Sequence, residues 1–429
     1  MSLIKKLINR YSVNLKNAIY FFMPSIIGLL INLITFPVFS EKLSSYDFAV
    51  IGYFEAISQM FLPIMNLSFY SFYMMGFFNR TEEENRRVMA TLIMFLTLIN
   101  LAIILLGLTF LFLYFNWANV TFSIYPYGIL TLASLYFMIY VSFLGLDFKM
   151  KKEGLKFLVL QSVNIILSIG IGLYLVIVLE LGAAGRMLGV LLSQIILGMI
   201  AFKMTFIKAK IDFKIIKKAL AFGYPLIIIA LLDIPTQYID RIMLERQNDV
   251  DAFALYSIGL KMSGIIFMLG SAVYQAFEPD FYKYVSQKNP KIFIQILGFV
   301  FGFFLMVNII FSIFAEPLIS LLTSNRYTGA YQYAIILIWS DFFLLFSYAL
   351  SIILIVNNKT KLLLYRKLII ALLGVALFIF FINYWRFFGA GFAKIIINFL
   401  NCAILVYFIW LSSRRTERVE KSKKKATMS

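Results

Sequence analysis

The sequence predicts an all-α integral membrane protein of twelve transmembrane helices, built as two six-helix bundles related by a parallel repeat with a cleft between them. Three observations predict it. Of 429 residues, 62% are apolar and only 14% charged, against about 45 to 50% and about 25% in soluble domains, so a water-soluble core cannot absorb the excess. The apolar residues fall in runs of about 20, the length that crosses a hydrocarbon core of about 30 Å. The runs are unbroken, where barrel strands would alternate, and the pattern of the first half returns in the second.

Taken in order, the first six spans are 17–39, 48–72, 88–115, 122–146, 157–180 and 184–203. The rest are 222–242, 252–277, 291–314, 333–356, 362–381 and 388–411. The first is too long for a signal-peptide core and runs into Val38, Phe39, Ser40 and Glu41 rather than a small-residue cleavage site, so it is read as retained. The second and eighth carry polar residues, which blurs their limits. The domain organisation expected is a basic cytoplasmic segment 1–16, a bundle 17–206, a linker with a second bundle 207–411, and a basic cytoplasmic tail 412–429.

Orientation follows from charge. The net charge is +18 with no His, and 31 of the 39 Lys and Arg residues fall in seven segments around 5–16, 80–87, 149–156, 203–218, 283–291, 359–367 and 414–425. Only an even number of spans with both termini inside puts every basic segment on the cytoplasmic face. The charge is therefore topological and gives no ground for a nucleic-acid partner. The 414–425 tail is read as a solvated segment near anionic lipid, with docking as the sharper alternative. Trp117 and Trp385 fall at the outer boundary and Trp410 at the inner one, as an aromatic belt requires, whereas Trp339 fits less well. A lone Cys402 and the absence of His leave no zinc cluster, no Cys/His nucleophile pair and no His base. No catalytic residue, metal or cofactor is expected, and no GxxxxGK[ST] motif supports an ATP-driven pump.

The repeat is legible in short stretches. Phe21-Phe22-Met23-Pro24 answers to Phe222-Gly223-Tyr224-Pro225, Gly52-Tyr53 to Leu255-Tyr256, and Phe77-Phe78 to Phe281-Tyr282. The sixth and twelfth spans open on Gly182-Ala183-Ala184-Gly185 and Gly389-Ala390-Gly391. Six spans per half make the two halves parallel. Pro24 and Pro37 in the first span, and Pro225 and Pro235 in the seventh, remove backbone bonds. Pro24, Pro225 and Pro235 are candidate hinges, the alternative being static kinks. Gly185 with Gly189 and Gly298 with Gly302 are GxxxG spacings that signify close helix packing.

The chain resembles the polysaccharide-transporter branch, the oligosaccharide-unit flippases, of the multidrug, oligosaccharidyl-lipid and polysaccharide exporter superfamily. The resemblance rests on Phe222-Gly223-Tyr224-Pro225-Leu226, on Asp240-Arg241-Ile242-Met243-Leu244 followed by Ala254-Leu255-Tyr256-Ser257-Ile258-Gly259, and on the Gly-Ala turns before spans six and twelve. It implies a V-shaped pair of bundles around a central cavity in the bacterial inner membrane. By alternating access these would move undecaprenyl-diphosphate-linked oligosaccharide to the outer leaflet, for surface polysaccharides such as O-antigen or exopolysaccharide. Bilayer lipids, H⁺ or Na⁺, and other polysaccharide-assembly proteins are the further partners implied. Lipid II flippases, a sister branch, carry two more helices and an Arg-Asp pair in the first; here that helix holds no charge from Ala18 to Ser40.

A charge at membrane depth costs about 2.5 to 3.5 kcal/mol on insertion scales and normally faces a cavity or a partner. Glu55, Asp233, Lys261 and Asp341 lie some seven to nine residues below the outer span ends, about 10 to 14 Å at 1.5 Å per residue. Arg186, Arg241 and Lys394 lie nearer that surface. In the repeat Lys261 answers to Ser58, one turn from Glu55, so the two could face each other across the cleft. Lys261 is either an ion-pair partner of Glu55 or Asp233 or a ligand for a diphosphate, to which a point charge is suited. Arg186, Arg241 and Lys394 are the other candidate substrate cations, with headgroup snorkelling or helix-end anchoring as their alternatives. Asp233, Glu55, Asp341 and Asp240 either compensate charge or exchange an ion. Two rival functions stay open: an ion-coupled drug or cation antiporter of the same fold, whose lumen would want acids, and a membrane polysaccharide polymerase or ligase, for which the outer loops are short.

Overall fold

The computed structural model describes residues 2–205, 211–357 and 359–426, and their side chains apart from residues 2–18, 360 and 413–426. The basic side chains of 5–16, Lys208, Lys210 and the 414–425 tail lie outside the described residues. The elements are α1 (Ser2–Lys42), α2 (Ser45–Asn66), α3 (Phe69–Gly76), α4 (Glu82–Ala118), α5 (Tyr127–Met150), α6 (Gly154–Ile177) and α7 (Gly182–Thr205). They continue as α8 (Phe213–Leu231), α9 (Ile234–Gln237), α10 (Ile239–Glu245), α11 (Val250–Ser286), α12 (Pro290–Leu322), α13 (Ala330–Val356) and α14 (Thr360–Ala426). A 3₁₀ turn, Phe77–Asn79, follows α3. No strand occurs among the described residues.

Eleven helical stretches are long and apolar enough to cross a membrane, the last of them 52 residues from Lys361 to Ser412. That stretch turns at Arg386, whose φ of 48° and ψ of −123° are not helical, so the described helices supply the twelve crossings expected. Two spans read as single crossings are interrupted within their length. The second breaks at Leu67 and Ser68, both left-handed at φ 51° and 55°. Pro63 lies within its last turn, and the Leu67 amide closes on the Pro63 carbonyl. The seventh breaks at Leu232 and Asp233, immediately before Pro235. Pro24 and Pro225, by contrast, sit inside continuous helices, so of the three candidate hinges only Pro235 adjoins a helix end.

Helix starts follow local chemistry. Ser44 with Asp47 opens α2 and Thr81 with Glu84 opens α4, each as a reciprocal capping box that satisfies amides a new helix leaves free. In the second half of α4 one face of large apolar side chains, including Leu105, Leu106, Phe110, Leu113 and Trp117, is exposed, while Leu111 and Phe115 are buried. Such a face would be an aggregation liability in water and is a lipid contact in a bilayer.

Packing divides the chain into two compact units, residues 1–231 with 322–326, and residues 232–321 with 327–429. The helix α8, counted with the second half on sequence grounds, packs on α2, α3 and α4. A side chain at Gly223 would strike the Leu67 carbonyl, so α8 lies directly on the break between α2 and α3. Within the first unit α1 packs on α6, α6 on α7, α7 on α5, and α5 on α2. Within the second, α9 and α10 pack on α14, α14 on α13, and α13 on α11. The same order of neighbours in each unit is what a duplicated bundle produces. The repeat-related Tyr53 and Tyr256 are both wholly buried.

Segments assigned to one membrane face meet each other. At the expected outer ends, Asp47 Oδ1 accepts the Ala183 amide at 2.6 Å, and Arg326 donates to the Ser40 carbonyl at 3.0 Å. At the expected inner ends, Arg87 pairs with Asp212 at 2.9 Å, and Lys359 donates to the Ser412 carbonyl at 3.0 Å. Close packing holds for one glycine pair and fails for the other. A Cβ on Gly189 would lie 2.5 Å from the Gly172 backbone, whereas Gly298 and Gly302 have no described atom within 4 Å of theirs, because the helix flank that bears them has no described neighbour.

Candidate functional site

Each unit carries polar groups inside its helices. In the first, a cavity of about 120 Å³ is lined by Glu55 and Ser58 of α2, Thr131 and Ser134 of α5, and Arg186 of α7. The guanidinium of Arg186 lies 5.3 Å from the centre of the Phe39 ring and 3.5 Å from the Ser168 hydroxyl. Glu55, exposed on α2, acts on it electrostatically. The backbone makes room: Gly172, on the helix opposite, leaves the Arg186 side chain in ordinary contact where a Cβ would sit. Two residues named from the sequence, Arg186 and Glu55, thus share one cavity.

In the second unit the break before Pro235 organises the charges. Lys394 of α14 places its ammonium 2.8 Å from Asp240 Oδ2, with the side chains 7% and 0% exposed. The Tyr256 hydroxyl donates to the same oxygen at 2.6 Å, and Lys394 also donates to the Gln237 carbonyl at 3.2 Å. The expectation that Lys394 is an open cavity cation is not what the geometry gives; its charge is enclosed and spent on Asp240, because the short helices α9 and α10 bring that carboxylate against α14. Arg241 stacks at 6.0 Å from the centre of the Tyr238 ring. Lys261 is half-buried on α11 and engaged by neighbouring groups. Asp341 is half-buried on α13, with the Ser263 hydroxyl of α11 in hydrogen-bonding reach.

Asp233 lies at the break itself. Its carboxylate pairs with Lys367 at 2.7 Å. The Asp233 carbonyl accepts from the Thr236 and Gln237 amides and from the Thr236 hydroxyl, so the broken turn leaves no spare ligand at that carbonyl. Around this pair is a cavity of about 150 Å³ lined by Asp233, Tyr238, Tyr348, Arg366, Lys367 and Asn401, among others. Sequence reasoning missed two of its members. Arg366 and Lys367 were counted with the cytoplasmic basic residues, yet they lie within the apolar run 362–381 and Arg366 is only 8% exposed. Their position four and five residues inside that run was the available signal. No group of three or more His, Cys, Asp or Glu among the described residues is arranged to hold a metal ion.

Comparison with known proteins bears on both fold and class. The MatE family model matches residues 225–384. The fold is similar to that of "Lipid II flippase MurJ, inward closed conformation", with a TM-score of 0.64 and 18% identity over 92% of this chain and 87% of that one. It is similar also to the "Inward-facing conformation of a multidrug resistance MATE family transporter of the MOP superfamily", with a TM-score of 0.64 and 14% identity over 92% and 99% of the two chains. A point mutant of the Vibrio cholerae MATE transporter VcmN aligns with a TM-score of 0.59 and 13% identity over 95% and 98%. No curated protein matches the chain. The chain thus shares the all-helical fold of these solved transporters, and its residues 225–384 match the MatE family model.

Proposed function

We propose that the protein is a flippase that carries a lipid-diphosphate-linked oligosaccharide from the cytoplasmic to the outer leaflet of a bacterial inner membrane by alternating access, in the service of surface polysaccharide biosynthesis. The observation that carries this reading is the disposition of charge. Two of the acids that a cation-accepting lumen would need are each occupied by a lysine, Asp233 by Lys367 at 2.7 Å and Asp240 by Lys394 at 2.8 Å, while Arg186 and Arg366 line cavities. Cations left to a cavity suit a diphosphate. In this reading Lys261, Arg186 and Arg241 meet the substrate, and Pro235 is the hinge. Glu55 and Asp341 balance charge or exchange a proton or Na⁺, and both termini are cytoplasmic. The drug antiporter reading retains Glu55 and Asp341 as its acids.

The test is export in cells that lack their own oligosaccharide flippase and accumulate the lipid-linked unit. Expression of this chain is expected to lower that pool and return polymer to the surface. Resistance to cationic dyes with an unchanged lipid-linked pool would instead favour the antiporter.

A further inference from the structure

We propose that the cavity beside α14 in the second unit is an oxyanion subsite, in which Arg366 and Lys367 take a group of the phosphate class and Asp233 competes with that group for Lys367.

The starting observation is a buried cation without a carboxylate of its own. Arg366 is 8% exposed. Its Nη1 donates to the Ser351 hydroxyl at 3.1 Å, and its Nε is enclosed without a hydrogen-bond partner among the described residues. The carboxylate lining the same cavity, Asp233, is bound to Lys367 at 2.7 Å. A guanidinium removed from water is expensive unless an anion or acceptors satisfy it; here its hydrogen-bond acceptor is a neutral hydroxyl, and the carboxylate that acts on it electrostatically, Asp233, makes its ion pair with Lys367 instead. The cavity holds two cations and one carboxylate, a net positive charge.

Size and lining fit a small oxyanion. A volume of about 150 Å³ corresponds to roughly five waters at about 30 Å³ each, which accommodates a tetrahedral group with part of its hydration. Asn401 and Tyr348 also line it, residue types whose amide and hydroxyl can donate. Asn398 also lines it, but its amide is committed to the Ser340 hydroxyl at 2.9 Å and serves as wall.

The two cations divide the work by their shapes. Arg366 is fixed and forked, suited to holding oxygens in one orientation, whereas the Lys367 ammonium is a mobile point charge. With Asp233 half-exposed, at 46% against 23% for Lys367, the ion pair opens at modest cost. An arriving oxyanion draws Lys367 from Asp233, and its departure restores the pair. The flippase reading is needed only for the source of the group, a lipid diphosphate headgroup; free pyrophosphate has the same chemistry.

The experiment uses the purified full-length protein in detergent and follows ³¹P line broadening of two probes, inorganic pyrophosphate and farnesyl diphosphate. Wild-type protein is expected to bind both, and Arg366→Gln to weaken both at least about tenfold, as loss of a charged hydrogen bond does. Asp233→Asn is expected to tighten both by about three- to tenfold, since the competitor is removed; a misfolded protein cannot produce that gain. Much tighter binding of farnesyl diphosphate assigns the subsite to a lipid headgroup, and equal binding assigns it to a free anion. The proposal is overturned if neither probe binds at millimolar concentration, or if both variants bind as wild type does. Binding that follows this pattern in a protein that exports no lipid-linked sugar would sink the flippase reading and leave the subsite standing.

Discussion

The ammonium of Lys394 and the carboxylate of Asp240 lie 2.8 Å apart with side-chain exposures of 7% and 0%, and Tyr256 donates to the same carboxylate oxygen from α11. Three helices of the second unit are thereby tied at one buried point, α10, α11 and α14. Removing one member of a buried pair leaves an uncompensated charge and costs about 3 to 5 kcal/mol. Lys394→Ala should lower the thermal transition of the purified protein markedly, and pairing Asp240→Asn with Lys394→Met should recover part of the loss. A single variant as stable as wild type would mean that the pair is open to water.

Lys261 carries the second prediction. A diphosphate ligand tolerates another cation in part and a carboxylate not at all. In cells lacking their own flippase, Lys261→Arg should retain part of the export, Lys261→Ala should lose most of it, and Lys261→Glu should abolish it, with membrane levels checked by blotting. Normal export by a well-expressed Lys261→Ala would reduce Lys261 to an ion-pair partner.

The glycines give a contrast in sign. Gly189 abuts the Gly172 backbone, so Gly189→Val should destabilise the first unit by the few kcal/mol typical of overpacking, about 1 to 3. Gly298 and Gly302 have open space, and Ala at either should stabilise α12 by about 0.8 to 1 kcal/mol through helix propensity alone. Thermal unfolding of the three variants in one detergent decides it.

Topology is checked directly. A reporter fused after Lys425 should be cytoplasmic and one inserted near Asn248 extracytoplasmic, since the basic segments all require the same face. An extracytoplasmic tail would refute twelve crossings with both ends inside.

The crossings were legible because hydropathy over about 20 residues is a strong signal, and the repeat was legible because Pro, Gly and aromatic punctuation survives in both halves. The breaks at Leu67–Ser68 and at Leu232–Asp233 were not, since a 20-residue hydropathy window averages over single polar residues such as Ser68 and Asp233, and Pro63 and Pro235 are equally compatible with a kinked continuous helix. Partners across helices were not legible either: Asp233 meets Lys367 from 134 positions away, and no periodicity encodes that. Counting Arg366 and Lys367 as loop residues was a consequence of using charge to assign sides, which discards the basic residues that lie within a span.

Arg386 has a consequence for how the protein is made. The stretch from Lys361 to Ser412 is helical over 52 residues except for the turn at Arg386, so the last two crossings are joined by a very short connection and are suited to insertion together as a helical hairpin. Arg386 is exposed at the bend. A guanidinium there resists being drawn into hydrocarbon, so in a bilayer Arg386 holds the apex of the hairpin towards the membrane surface.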